Sequence, residues 1–124
     1  IPGLHEYGIG SYPAVPAAGL AQALNLKVGI VTTSNSLDEN DDDRRLIAAN
    51  GGAVKEMEAA AVAYVCEMMA IPVMALKAIT DLVDHHTATA DQFNANLTMA
   101  SRRLAEKLLQ VIDFCAPRMV ADLA

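Results

Sequence analysis

Apolar positions along this chain follow two different periods. Residues 27–33 (KVGIVTT) and 73–79 (VMALKAI) are short apolar runs of strand length, the first rich in β-branched side chains. Residues 53–57 (AVKEM) form a third extended segment, running back after Asn50-Gly51-Gly52 stops a helix over 43–49. Residues 59–69 are apolar on nearly every face, with Glu67 alone breaking the pattern. That pattern predicts a buried helix whose Ala-rich start can approach a sheet closely. Ile71-Pro72 then turns the chain into the run at 73, where the fixed φ of proline suits a strand start. Over 90–114, Phe93, Leu97, Ala100, Leu104, Leu108, Val111 and Ile112 hold a helical period, predicting a helix capped by Thr89 that covers one sheet face. Residues 20–24 offer a helical turn or two, ending near Asn25. Extended runs alternating with helices predict an α/β fold, and the helix between 53–57 and 73–79 makes a βαβ unit. Residues 1–19 lack either period and read as an extended loop, and the tail from 117 to 124 reads as frayed.

Carboxylates stand where these runs end. Glu58 lies directly before the apolar helix and Asp81 directly after the apolar run at 73–79. In an open α/β sheet ligands bind beyond the carboxyl ends of the strands, so both residues are expected to face one crevice. Residues 34–43 (SNSLDENDDD) belong to the same sheet end, with Leu37 their single large apolar side chain. Asp38, Asn40 and Asp42 alternate as in a calcium loop, but Asp43 stands where that loop needs Gly and Ala49 where it needs Glu, which excludes it. Asp41, Asp42 and Asp43 read instead as caps of the following helix. Asp84, His85 and His86 share a loop with no third ligand at a recognised spacing, so no metal is expected there.

Composition narrows the ligand. A chain of 124 residues, 53% hydrophobic, can build one domain around one core. It opens on Ile1-Pro2-Gly3, with neither an initiator Met nor a signal-like segment, and reads as the middle of a longer chain. The net charge of -6 argues against a nucleic-acid backbone or an anionic membrane surface, both of which reward Lys and Arg, and favours a small-molecule ligand. Cys66 and Cys115 lie in apolar helical patterns without metal-ligand spacing, as reduced core residues of a cytosolic protein do. No apolar stretch has the length of a transmembrane helix. Tyr7 and Tyr12 are large amphipathic groups of the kind that loops use to cover a partner or a ligand, or to pack on their own domain.

Two stretches, Glu56-Met57-Glu58-Ala59-Ala60-Ala61 and Leu76-Lys77-Ala78-Ile79-Thr80-Asp81, resemble the nucleoside phosphorylase and nucleosidase superfamily. The similarity is greatest to the plant-type 5'-methylthioadenosine nucleosidases and extends from about His5 to Phe114. Met-Glu is shared with purine nucleoside phosphorylases, whereas the run Lys77 to Asp84 leans towards the nucleosidases. The resemblance implies that the chain is roughly the C-terminal half of a three-layer α/β/α family domain. It also implies a purine nucleoside substrate, no cofactor, a cytoplasmic homodimer and a place in methionine salvage. Met57 would pack against the ribose and Glu58 would accept from its 2'- and 3'-hydroxyls. Asp81 would deliver a proton to N7 of the departing adenine, placed by Thr80. Ser36-Leu37-Asp38 matches the adenine loop, with Leu37 against the ring and the backbone of Asp38 reading its polar edge. His5-Glu6-Tyr7-Gly8 resembles the dimer loop, with Tyr7 lining the neighbouring subunit's 5'-alkylthio pocket. Ser34-Asn35 stands where relatives often carry Gly-Asp, and the base that activates water belongs to the family's N-terminal half.

The chemistry asks for such groups on its own account. Cleaving an N-ribosyl bond develops positive charge on the sugar and negative charge on the leaving base. One carboxyl group must hold a proton for the base, which a dry or negatively charged surrounding favours. The other must stay ionised against the sugar, which a helix N-terminus favours. Three readings remain open at this level. The chain is a nucleosidase half, a half of a phosphate-dependent phosphorylase, or a non-catalytic nucleoside-binding fragment in which Glu58 and Asp81 only cap helices.

Overall fold

The β-branched run Ile-Val-Thr-Thr forms strand β1 (Ile30–Thr33), and Gly52–Glu56 forms β2 beside it. A computed structural model describes residues 10–37, 39–82 and 89–124. The strands pair in parallel, Val31 opposite Val54, Thr32 opposite Lys55 and Thr33 opposite Glu56, with an irregularity between Ile30 and Val31. Parallel neighbours need a crossover, and α2 (Asp41–Ala49) provides it. The observed βαβ unit is therefore β1–α2–β2. Asn40 and Asp43 start α2 as a reciprocal capping box, with Asp41 and Asp42 in the same turn, where negative charge meets the positive end of the helix. Gly52 has to be glycine, since a Cβ there would lie 2.6 Å from the Thr32 methyl and 2.8 Å from the Ile47 methyl.

The remaining elements are α1 (Ala18–Leu24), α3 (Ala59–Met68), α4 (Thr89–Cys115) and a terminal 3₁₀ turn, Val120–Leu123. The α3 helix packs against β1 and ends in a Schellman closure. There the Ile71 N–H donates to the Cys66 carbonyl at 2.8 Å, and Ala70 takes the left-handed conformation at φ 53°. The α1 helix packs against α4 and the 3₁₀ turn, and the buried side chains Leu20, Ala21, Ala100, Val111 and Leu123 gather at this helical corner.

Five expectations are corrected. Residues 73–79 do not form a strand, because a strand needs a backbone ladder. Instead the Val73 carbonyl accepts from the Val15 N–H at 2.8 Å, and the Thr80 carbonyl accepts from Asn96 Nδ2 at 2.8 Å. The α3 helix is not buried, since apolar residues on every side need cover on every side and here the β1 side supplies it; Met68 is 67% exposed. The first strand is shorter than expected and partly exposed, with Val28 and Ile30 in contact with solvent. The α4 helix packs on α1 and lines a cleft with residues 76–79, rather than covering the strand pair. The tail is also ordered rather than frayed. Leu123 is 5% exposed, and the Asp122 carboxylate accepts from the Met119 N–H at 3.0 Å. The capping role expected of Thr89 concerns a side chain outside the described part. Among the described residues no helix is long and apolar enough to cross a membrane.

Candidate functional site

Where β1 and β2 end, one carboxylate ties four pieces of chain together. The Glu56 side chain, 9% exposed, accepts from Lys77 Nζ at 2.8 Å and from the Thr33 hydroxyl. It also accepts from the backbone N–H groups of Glu58 at 3.0 Å and Ala59 at 2.8 Å. Thr33 Oγ1 in turn accepts from the Ala60 N–H at 3.0 Å, so strand ends and not α3's own first residues satisfy the opening amides of that helix. Burial alone would raise the Glu56 carboxyl. The hydrogen bonds from Lys77, Thr33 and the Glu58 and Ala59 amides outweigh it and lower the pKa from 4.5 to about 2. Glu56 is thus held as an anion that neutralises Lys77 and anchors the start of α3.

This arrangement releases Glu58. It occupies the N-cap position of α3, yet its side chain makes no capping hydrogen bond and it is exposed at the helix N-terminus. The idea that Glu58 merely caps its helix fails here, because Glu56 and Thr33 perform that task. Met57, beside it, is also exposed.

The loop after β1 is clamped from below. Ser34 N–H extends the ladder to the Glu56 carbonyl at 3.0 Å. Lys55 Nζ donates to the carbonyls of Ser36 at 2.7 Å and Leu37 at 3.1 Å, while the Ser36 hydroxyl donates to Asp43 Oδ2 at 3.0 Å. The Leu37 side chain stands 78% exposed above this clamp.

On the third side, Thr80 Oγ1 donates to Asp81 Oδ1 at 2.6 Å, leaving Oδ2 clear of that bond. Asp81 is half-buried, not enclosed. Side chains of other elements hold its segment. Lys77 reaches back to Glu56, and Asn96 of α4 holds the Thr80 carbonyl. Among the described residues, the hydrogen bonds that link the Met57-Glu58 turn to the Thr80-Asp81 segment run through Glu56 and Lys77.

The site is open. One cleft, about 310 Å³, lies between Tyr12–Val15 and the end of α3, and another, about 230 Å³, lies between residues 76–79 and α4; neither is lined by Glu58 or Asp81. Tyr12 packs edge-on against Tyr64 of α3 with ring centroids 6.4 Å apart, so this tyrosine packs on its own domain. Tyr7, Asp38 and the Asp84-His85-His86 loop, with their expected roles, lie outside the described residues. Sequence reasoning missed Glu56 and Lys77 as organising groups. The available signal was their spacing, since Glu56 stands two residues before Glu58 and Lys77 four before Asp81.

A family model described as the phosphorylase superfamily matches residues 8–113. A 5'-methylthioadenosine/S-adenosylhomocysteine nucleosidase of Arabidopsis thaliana is 40% identical over 123 residues, 99% of this chain and 48% of that protein. A 5'-methylthioadenosine nucleosidase of the same organism is 44% identical over 123 residues, covering 99% and 46%. The solved structure of an Arabidopsis thaliana 5'-methylthioadenosine nucleosidase in apo form matches with a TM-score of 0.89 at 43% identity, over 98% of this chain and 50% of that one. The chain spans about half the length of the curated relatives it matches.

Proposed function

This chain belongs to the phosphorylase superfamily and carries its α/β fold, and from that premise we propose that it supplies the base- and ribose-facing part of an N-ribosyl hydrolase. The substrate is 5'-methylthioadenosine, with S-adenosylhomocysteine as a second candidate, and the products are adenine and 5-methylthioribose. The observation that carries this reading is that Glu56 ties the end of β1 to the opening amides of α3 beside Met57-Glu58 and, through Lys77, to the segment that leads to Thr80-Asp81.

In this reading Asp81 Oδ2 passes a proton to N7 of the leaving adenine while the Thr80 hydroxyl holds Oδ1. Glu58, free of capping duty at a helix N-terminus, accepts from the 2'- and 3'-hydroxyls and stabilises the sugar as it becomes cationic. Met57 packs on the ribose, and Ser36, Leu37 and Asp38 meet the base. The base that activates water comes from a segment matching the rest of the relatives' length. The assembly is a cytoplasmic homodimer in which Tyr7 reaches the neighbouring 5' pocket, it needs no cofactor, and its reaction serves methionine salvage.

A second reading is a phosphate-dependent phosphorylase, because the Met57-Glu58 pair is common to both branches and does not separate them. A chimera separates them. In it this chain replaces the matching half of the 44%-identical Arabidopsis nucleosidase. The chimera is expected to release 5-methylthioribose at a rate independent of phosphate. Formation of 5-methylthioribose 1-phosphate in phosphate buffer would move the assignment to the phosphorylase.

A further inference from the structure

We propose that Lys55 and Asp43 are positioning residues that pre-organise the Ser36-Leu37 loop for the nucleobase, and so set affinity for the base without setting the rate of bond cleavage. The inference rests on the hydrolase reading above and adds two residues to it.

Three observations carry it. First, Lys55 spends its ammonium on two successive backbone carbonyls, those of Ser36 at 2.7 Å and Leu37 at 3.1 Å. A planar trans peptide sets its N–H opposite its C=O, so pinning the Ser36 carbonyl to Lys55 turns the Leu37 N–H to the opposite side. Second, the same loop is tied from the side. The Ser36 hydroxyl donates to Asp43 Oδ2 at 3.0 Å, and that oxygen also accepts from the Asn40 N–H at 3.3 Å within the capping box that starts α2. The loop is therefore referenced to β2 through Lys55 and to α2 through Asp43, two elements already locked by the β1–α2–β2 crossover. Third, the Leu37 side chain above this clamped backbone stays 78% exposed. A large apolar group in solvent on a backbone held at three points suits the face of a flat apolar ring, since the ordering cost of the loop is met before the ligand arrives.

Lys55 lies on the sheet side of the loop, beside Glu56 in sequence, and its contacts are carbonyl oxygens of the loop itself. Its effect on the base therefore runs through the loop whose carbonyls it holds.

The test uses the chimera, with Lys55→Met as the main variant because it keeps an unbranched stem and removes the charge. Calorimetry with free adenine and with 5-methylthioribose is combined with steady-state hydrolysis of 5'-methylthioadenosine. Expected are rises of about tenfold in adenine Kd and in nucleoside KM, while kcat and the 5-methylthioribose Kd stay within about threefold. Should Lys55→Met fail to fold, as judged by circular dichroism, Ser36→Ala is the gentler variant, removing the hydroxyl's links to Asp43 and to the Ser34 hydroxyl while leaving both Lys55 bonds, with adenine Kd expected to rise about threefold. Unchanged adenine affinity in a folded variant would overturn the proposal, as would an equal loss for adenine and 5-methylthioribose. If the unsubstituted chimera hydrolyses its substrate and the variants behave like it, this proposal alone fails. If the chimera neither hydrolyses nor binds adenine, both readings fail together.

Discussion

Asp81 and Glu58 are two carboxylates assigned opposite tasks, and their substitutions should separate those tasks. Asp81 is half-buried with Thr80 on one oxygen; Glu58 is exposed at the start of α3 with its capping work done by neighbours. In the chimera, Asp81→Asn keeps size and a hydrogen-bond donor towards N7 but cannot transfer a proton. Adenine binding should survive while single-turnover hydrolysis falls by ~10²–10⁴-fold, the range general acid catalysis contributes. On the proposed assignment Glu58→Gln removes the charge opposite the sugar, so turnover should fall and 5-methylthioribose should bind less tightly, whereas free adenine should not. Near-normal turnover in Asp81→Asn would remove Asp81 from the mechanism. Both residues stand out in the sequence because each interrupts an apolar pattern at its end. Glu56 does not. It sits inside an alternating strand segment, where a glutamate ordinarily faces water, and its partners Thr33 and Lys77 lie 23 and 21 residues away. The pairing of β1 with β2 sets Thr33 opposite Glu56, and the return of the chain after α3 brings Lys77 to the same carboxylate.

Between elements, Glu56 is the fastening that joins β1, β2, α3 and the segment leading to Asp81, and its charge state gives this joint a pH dependence. Its pKa is lowered on folding, from 4.5 to about 2, so the ionised form is the one that stabilises. That contribution is complete above 4.5 and is lost as pH falls from 4.5 towards 2. Glu56→Gln in the chimera should cost about 1–3 kcal/mol near neutral pH, the scale of hydrogen bonds to a charged group. It should also flatten the acid limb of stability, read as urea midpoints between pH 6 and pH 3. Curves that stay parallel across that interval would show that Glu56 carries no such coupling. The same division between local and non-local causes explains which elements could be foreseen. Helices α2 and α4 followed from caps and periodicity within their own residues. The 73–79 run was misjudged because apolar, strand-like residues form a strand only beside a partner backbone, and in this chain residues 71–80 have no ladder.

The whole molecule places its buried side chains at one helical corner while the layer around the strand pair stays open. Leu20, Ala21, Ala100, Val111 and Leu123 are buried; Val62, Tyr64, Val65, Met68, Met69 and Ile71 of α3 and its exit are not. An apolar surface of that kind calls for cover, and the relatives matched here are about twice as long as this chain. The all-apolar pattern of α3 therefore reports a surface suited to burial, and its exposure reports how much of the covering layer these residues contain. The 124 residues alone should accordingly enhance the fluorescence of an apolar dye and self-associate at micromolar concentration. They should turn over 5'-methylthioadenosine poorly, whereas the chimera should suppress dye binding and restore turnover. Dye titration and light scattering on the two proteins, followed by the hydrolysis assay, decide the matter. A monomeric, dye-silent 124-residue chain that hydrolyses 5'-methylthioadenosine as fast as the chimera would show that the open face needs no cover and that the site is complete without it.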